Sequence, residues 1–166
     1  MSIRVLTSVA LALALPLATS RAQDPNAAPM HAHSDSMAAV RSASLKWSPL
    51  EAPGFKPGAE MVVVSGDPGK PAPYTMRLRF PSGYAIPAHY HPNVENVTVL
   101  SGRFQLGMGE RTEKSALKTY APGDFLSIPP RMPHFGRVDG TTVVQLHGTG
   151  PFEMKVVENQ VGAAGP

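Results

Sequence analysis

The sequence contains no cysteine, and this absence excludes both a disulfide framework and the attachment of a lipid to a cysteine that follows a leader. Long apolar runs are also scarce. One lies near the N-terminus, and no later segment is long and apolar enough to cross a membrane. Outside that first run, no stretch shows a sustained helical period of apolar residues. We therefore expect a fold that rests on a hydrophobic core built from short extended segments.

Charged residues are sparse, since Lys, Arg, Asp and Glu together make up 16% of the chain. Of the 15 basic residues, 13 remain once Arg4 and Arg21 of the N-terminal segment are subtracted, against 12 acidic residues. No cluster of Lys and Arg with interleaved aromatic residues occurs, and no basic amphipathic helix is indicated. The sequence therefore predicts neither a nucleic-acid partner nor a membrane partner after removal of the leader.

Residues 1–22 have the pattern of a cleavable signal peptide. Arg4 precedes an apolar stretch of 13 residues, 5–17, and the tripeptide ending at Ala22 is a small-x-small cleavage site. We therefore expect cleavage after Ala22 and a periplasmic or secreted protein. No twin arginine precedes the apolar stretch, so we expect the chain to be translocated unfolded and to capture its metal ion after export.

Residues 23–45 are rich in Ala, Pro, Ser and Met and almost without bulky apolar side chains, which predicts a flexible linker or arm. Soft and borderline metal ligands lie close together in this arm, namely Met30, His31, His33 and Met37. Such a composition suits copper ions. A simple linker and an auxiliary metal-binding arm are therefore two open interpretations.

Residues 46–166 are predicted to form one all-β domain, whose junction with the arm is marked by Trp47 and Phe55. The chain contains 18 Pro and 15 Gly, and they separate short β-rich segments in the manner typical of a sandwich or barrel. The predicted strands are 60–65, 74–80, 86–91, 93–100, 103–108, 124–128, 141–147 and 152–157. The dipeptide Ser101-Gly102 between two of these strands predicts a hairpin turn.

The most informative segment is 83–102, in which five residues have the spacing G-x5-H-x-H-x3-E-x6-G, namely Gly83, His89, His91, Glu95 and Gly102. Side chains alternate faces along a strand, so His89 and His91 point the same way. After a turn, a neighbouring antiparallel strand would bring Glu95 back toward the same pocket. Two imidazoles and one carboxylate would then form an incomplete metal site.

A second patterned stretch supplies a fourth candidate ligand. Gly123 and Asp124 precede a mainly apolar run, 125–128, and Pro129 follows this run. His134 follows five residues later. With His134, the predicted metal site contains three imidazoles and one carboxylate.

Together the two stretches resemble the two sequence motifs of the cupin superfamily, and the first motif is matched at every defining position. The resemblance covers residues 60–157 and implies a single barrel of the double-stranded β-helix or jelly-roll type, and also a homodimer. The second motif departs from the usual form, because Arg131 stands where glycine is common and Val138 where an asparagine often closes the motif. The metal-ligand position, His134, is kept.

Four protein ligands leave one or two positions open on an ion that accepts five or six, so a small-molecule substrate can bind directly. One divalent ion is predicted, and Zn, Cu, Fe, Mn and Ni all remain candidates. Glu95 is the predicted catalytic residue, either bound to the metal or free to take a substrate proton. The resemblance implies a metal-dependent oxidoreductase of the dioxygenase type acting on a small oxygenated organic compound. A non-catalytic ligand-binding or metal-binding cupin and an isomerase or epimerase are the alternatives.

Two further polar residues are candidates for supporting the metal site. In the predicted strand 141–147, Gln145 and His147 share one face, whereas Val144 and Leu146 share the other. If the polar pair faces the pocket, it would orient a metal-bound oxygen or relay a proton. If the apolar pair faces the pocket, Gln145 and His147 face solvent. The sequence leaves both orientations open.

Overall fold

The computed structural model describes residues 37–157, and the elements given below all belong to the unit that starts at Ala39. The predicted signal peptide and most of the predicted arm, including Met30, His31 and His33, lie outside the described residues. The helical elements within residues 37–157 are two 3₁₀ turns, Ser42–Ser44 and Lys114–Ala116. In this part of the chain, no helix is long and apolar enough to span a membrane.

Nine antiparallel strands form the domain, which confirms the all-β prediction. The strands are β1 (Ser48–Pro49), β2 (Glu60–Ser65), β3 (Pro73–Phe80), β4 (Ala85–Tyr90), β5 (Glu95–Met108), β6 (Lys118–Tyr120), β7 (Phe125–Ile128), β8 (His134–Thr149) and β9 (Lys155–Val156). The bounds of β2 agree with the predicted strand, and those of β3, β4 and β7 agree within one residue. The sequence pattern did not predict the short strands β1 and β6.

The long strand β8 organises the barrel. Strand β5 pairs along one edge of β8, whereas β3 and β4 share the other edge. Strands β6 and β7 extend the sheet beyond β5, β2 and β1 extend it beyond β3, and β9 pairs with β4. The curled antiparallel sheet that results is a barrel of the jelly-roll type.

The predicted hairpin at Ser101-Gly102 is wrong, because β5 continues through both residues. Both halves of β5 pair with β8, and the register is irregular around Ser101. Gly102 has a φ of 81°, and the backbone N–H of Arg103 donates to Oγ1 of Thr142 at 3.1 Å. The dipeptide therefore bends a strand against its partner instead of reversing the chain direction.

A cluster of buried apolar side chains forms the core of the barrel. The largest fully buried apolar side chains are Phe80, Phe135, Met76, Val99, Val138 and Val144. Of the two predicted junction residues, Phe55 packs against this core, and Trp47 lies under the guanidinium of Arg79 at 4.4 Å from the ring centroid. Arg79 also donates to the carboxylate of Glu60 at 2.6 Å. Among the described residues, the buried polar or charged side chains are few, namely His89, His91, Glu95, His134 and Thr142.

Candidate metal centre

Strand pairing brings together the four residues that the sequence selects. His89 and His134 lie directly opposite each other in the β4–β8 pair. His91 follows the last residue of β4, and Glu95 is the first residue of β5. All four side chains are buried, with exposed fractions of 2% to 7%. His134 is distant in sequence, but it lies beside His89 because β8 pairs with β4.

The three imidazoles converge, and the Glu95 carboxylate lies beside two of them. The candidate ligand atoms of His89, His91 and His134 all lie within 4.8 Å of one another. The carboxylate of Glu95 lies 3.2 Å from Nε2 of His134 and 3.6 Å from Nε2 of His91. Imidazole nitrogen and carboxylate oxygen are donors that suit divalent transition metals.

Backbone carbonyls fix the orientation of all three imidazoles. The Nδ1 atoms of His89, His91 and His134 lie 2.7, 2.7 and 2.9 Å from the carbonyl oxygens of Pro87, Glu153 and Met132, respectively. Each Nδ1–H can therefore donate to a carbonyl, which leaves Nε2 of each ring as the candidate ligand atom; Nε2 of His134 lies beside the Glu95 carboxylate. Nε2 of His91 is buried and has no hydrogen-bond partner in the structure. A divalent metal ion fits this donor set and would give the unpartnered nitrogen its missing contact.

Burial and mutual charge set the protonation of the site. Burial, assisted by the neighbouring His134, lowers the pKa of His89 to about 4, so this imidazole is neutral near pH 7. Burial alone would raise the pKa of Glu95, but the hydrogen bond from His134 and the nearby imidazoles outweigh it and hold the pKa below its usual value. Burial would lower the pKa of His134, and the hydrogen bond and charge of Glu95 raise it instead. Glu95 is therefore an anion in this site.

The departure from the second motif at Arg131 leaves the turn geometry in place. Arg131 has a φ of 59° and is the one non-glycine residue of the described chain with positive φ. Its backbone N–H donates to the carbonyl of His91 at 2.7 Å. This bond ties the turn that precedes His134 to the strand end that carries His91. The arginine therefore adopts the left-handed conformation that glycine takes more readily.

Residues 149–154, which we call the strap, contact His91, and the sequence pattern did not predict these contacts. The ring of Phe152 stacks on His91 with centroids 4.7 Å apart, and the next residue, Glu153, supplies the carbonyl that holds Nδ1 of His91. The amide of Asn93 donates to the carbonyls of Thr149 and Pro151 at 3.3 and 3.1 Å. The strap therefore positions His91, and the available sequence signal was Asn93 in the turn after the His-x-His pair.

We predict that Asn93→Ala weakens metal binding about tenfold, because loss of an outer hydrogen-bond partner typically lowers metal affinity by about 10- to 100-fold. Both side-chain bonds from this residue to the strap would be lost. Competition with a chromophoric chelator measures the affinity. Asn96→Ala is the matched control, because the Asn96 amide donates to the carbonyl of His147, which lies outside the strap. Equal affinities for both variants and the wild type would contradict a positioning role for Asn93.

A cavity of about 370 Å³ opens next to the four polar residues. Its wall includes Met76, Phe80, Phe104, Leu106, Val144 and Leu146. The structure thereby decides between the two orientations of β8. Gln145 instead accepts a hydrogen bond from Arg77 at 3.1 Å, and His147 stacks on the exposed Phe125. Of the two orientations that the sequence left open, the structure therefore has the one in which Val144 and Leu146 line the cavity, and Gln145 and His147 lie on the opposite face of β8.

Residues 76–148 match the family model described as the cupin domain. The polyketide cyclase RemF from Streptomyces resistomycificus superposes with a TM-score of 0.62 at 20% identity, over 76% of this chain and 89% of that chain. A cupin 2 conserved barrel domain protein from Rhodopseudomonas palustris gives 0.55 at 18% identity, over 68% and 77%. A variant of salicylate 1,2-dioxygenase from Pseudoaminobacter salicylatoxidans, in complex with gentisate, gives 0.50 at 15% identity, over 62% and 30%. No curated protein sequence gives a significant match.

Proposed function

Because this chain belongs to the cupin superfamily, we propose that it binds one divalent transition-metal ion through the three histidines and Glu95, as a metal-dependent oxidoreductase of the dioxygenase type. The substrate in this proposal is a small oxygenated organic compound that enters the cavity beside the four residues. The observation that carries the proposal is the convergence of three imidazoles whose Nδ1 atoms are already engaged, with Nε2 of His91 buried and unpartnered. The structural neighbour named salicylate 1,2-dioxygenase supports oxygen chemistry as the first reaction to test.

When bound, the metal ion supplies a Lewis acid for an enol or carbonyl oxygen of the substrate and an open position for dioxygen. The chain's own residues orient the imidazole rings. The backbone carbonyls fix the orientation of the three imidazole rings. Phe55 contacts His89 edge-on at 5.7 Å between centroids, and Phe152 stacks on His91. These two rings therefore pack directly against two of the three imidazoles.

Glu95 is the residue we assign to proton transfer. It is the one buried carboxylate of the described chain, and it lies against His134 and His91. Its carboxylate is ionised and lies beside two imidazoles, so a substrate bound there could transfer a proton to it from an acidic C–H or O–H group. The other acidic residue on the cavity wall, Glu51, is exposed. Glu51 therefore serves as the control for substitutions of Glu95, because both carboxylates lie on the cavity wall and only Glu95 is buried.

We predict that Glu95→Gln lowers kcat at least about 100-fold at saturating metal, because general acid–base catalysis contributes about 10²- to 10⁴-fold. Oxygen uptake is first screened with Fe-, Mn-, Cu- and Ni-loaded protein on enolisable diketones and phenols. The rate and the metal content of Glu95→Gln are then compared with those of Glu51→Gln, which keeps its kcat. Full turnover by Glu95→Gln would contradict the proton-transfer role. Tight metal binding without oxygen uptake for any metal or substrate would instead favour the non-catalytic alternative.

A further inference from the structure

The cavity wall is almost entirely apolar away from the four clustered polar residues. The side chains of Leu106, Ile128 and Leu146 face the cavity, as do the rings of Phe80 and Phe104. Within the described chain, no Lys, Arg, Asn, Gln, Ser, Thr or Tyr lines this cavity. A substrate that carried several hydroxyls would lose its hydrogen bonds to water on entry without gaining replacements.

The charges on the wall also restrict the substrate. Besides the three histidines, the ionisable side chains that line the cavity are Glu95 and Glu51, and both are acidic. A divalent cation bound beside one carboxylate leaves a single net positive charge, which one ionised enol or phenol oxygen neutralises. A second anionic group on the substrate would find no cation on the described wall and would lie in an apolar environment.

Resting on the proposed function, we infer that the substrate is a hydrophobic enol or phenol. In this proposal its one ionisable chelating head contacts the metal, and the rest of the molecule is uncharged and carries few polar groups. The cavity of about 370 Å³ would hold about twelve water molecules at about 30 Å³ each, which is room for a compound of one or two rings. Sugars and compounds with a separate carboxylate or phosphate are excluded by the same wall.

Binding of catechols to the Zn²⁺-loaded protein tests this inference without turnover. Isothermal titration under argon compares catechol, 4-methylcatechol, 4-ethylcatechol and 4-propylcatechol, and each added carbon is expected to tighten Kd about fourfold by burial on the apolar wall. The acid with the same chain length, 3-(3,4-dihydroxyphenyl)propanoate, is expected to bind at least about tenfold more weakly than 4-propylcatechol. Equal affinities along the alkyl series, or an acid that binds as tightly as 4-propylcatechol, would overturn the inference.

A charge placed on the wall provides a second, independent test. Met61 on β2 lines the cavity and is partly exposed, and a lysine of similar length can extend its ammonium group toward the cavity mouth. Met61→Lys is expected to reverse the preference between 4-propylcatechol and the acid. Val62→Lys, on the same strand but outside the cavity wall, is expected to leave both affinities unchanged. A preference that stays the same in a folded Met61→Lys protein would contradict the assignment of the wall.

The outcomes separate the inference from the proposed function. If Zn²⁺ does not bind, or if catechol binds equally well with and without Zn²⁺, the proposed metal site itself fails. If catechol binding requires Zn²⁺ but the alkyl and carboxylate substituents have no effect, the metal site stands and the substrate class is wrong.

Discussion

Removal of the metal ion is expected to lower the melting temperature of the protein by about 15 °C. A ligand present at 1,000 times its Kd stabilises the folded state by about 4 kcal/mol, and about 1 kcal/mol shifts the melting temperature by roughly 4 °C for a domain of this size. The metal-free site keeps three imidazoles and a carboxylate buried, including the unpartnered Nε2 of His91. Calorimetry with saturating Zn²⁺ and with excess chelator measures the difference.

The same experiment on two histidine variants locates the site. His91→Ala removes the unpartnered Nε2, so we expect the metal-dependent shift to disappear. His147→Ala is the matched control, because His147 lies on the face of β8 opposite the cavity wall and stacks only on Phe125 among the described rings. This variant should keep the full shift. A shift that survives in His91→Ala, or one that is lost in His147→Ala, would contradict the proposed ligand set.

The second large effect concerns the two glycines that bound the first motif. Both adopt positive φ, 75° at Gly83 and 81° at Gly102, but their surroundings differ. A Cβ at Gly83 would meet no atom within 4 Å. A Cβ at Gly102 would lie 2.5 Å from the carbonyl oxygen of Thr141 and 2.7 Å from Cα of Thr142. These neighbours are backbone atoms of β8 and cannot rotate away.

We therefore predict that Gly83→Ala lowers the free energy of unfolding by about 1 to 2 kcal/mol, which is the cost of the left-handed conformation alone. Gly102→Ala should cost about 4 kcal/mol or more, because β5 and β8 must also move apart. Urea denaturation of both variants gives the comparison. If both substitutions lower the free energy of unfolding by similar amounts, close contact between β5 and β8 does not explain the glycine at position 102. If Gly102→Ala does not fold alone, both variants are refolded with saturating Zn²⁺, because a bound ion stabilises the folded state, and their free energies of unfolding are then compared.

The local part of the site could be predicted from the sequence because it depends on alternation and spacing. His89 and His91 share one face of β4 and its end, and Glu95 begins the next strand. These relations span seven residues and need no long-range information. Strand β2 was predicted with the bounds it has, since its apolar run ends at a turn that contains glycine.

The parts that were wrong, missed or left open depend on pairing between distant segments. Ser101-Gly102 has the composition of a turn, but pairing with β8 on both sides of this dipeptide keeps the chain in one strand, β5. Gln145 and His147 were left undecided because alternation alone does not say which face of β8 is inside. Phe152 lies 61 positions after His91, and only the folded strap shows that its ring stacks on that histidine.

Metal content per protein chain is the measurement that tests the central claim most directly. The protein is purified without a metal-affinity step and analysed by mass spectrometry for transition metals, beside a His89→Ala, His91→Ala double variant that has been shown to be folded. We predict about one equivalent of a divalent transition metal in the wild type and less than about a tenth of an equivalent in the double variant. If the wild type contains no metal and takes up none from a transition-metal solution, or if the double variant retains a full equivalent, the proposed metal centre is contradicted.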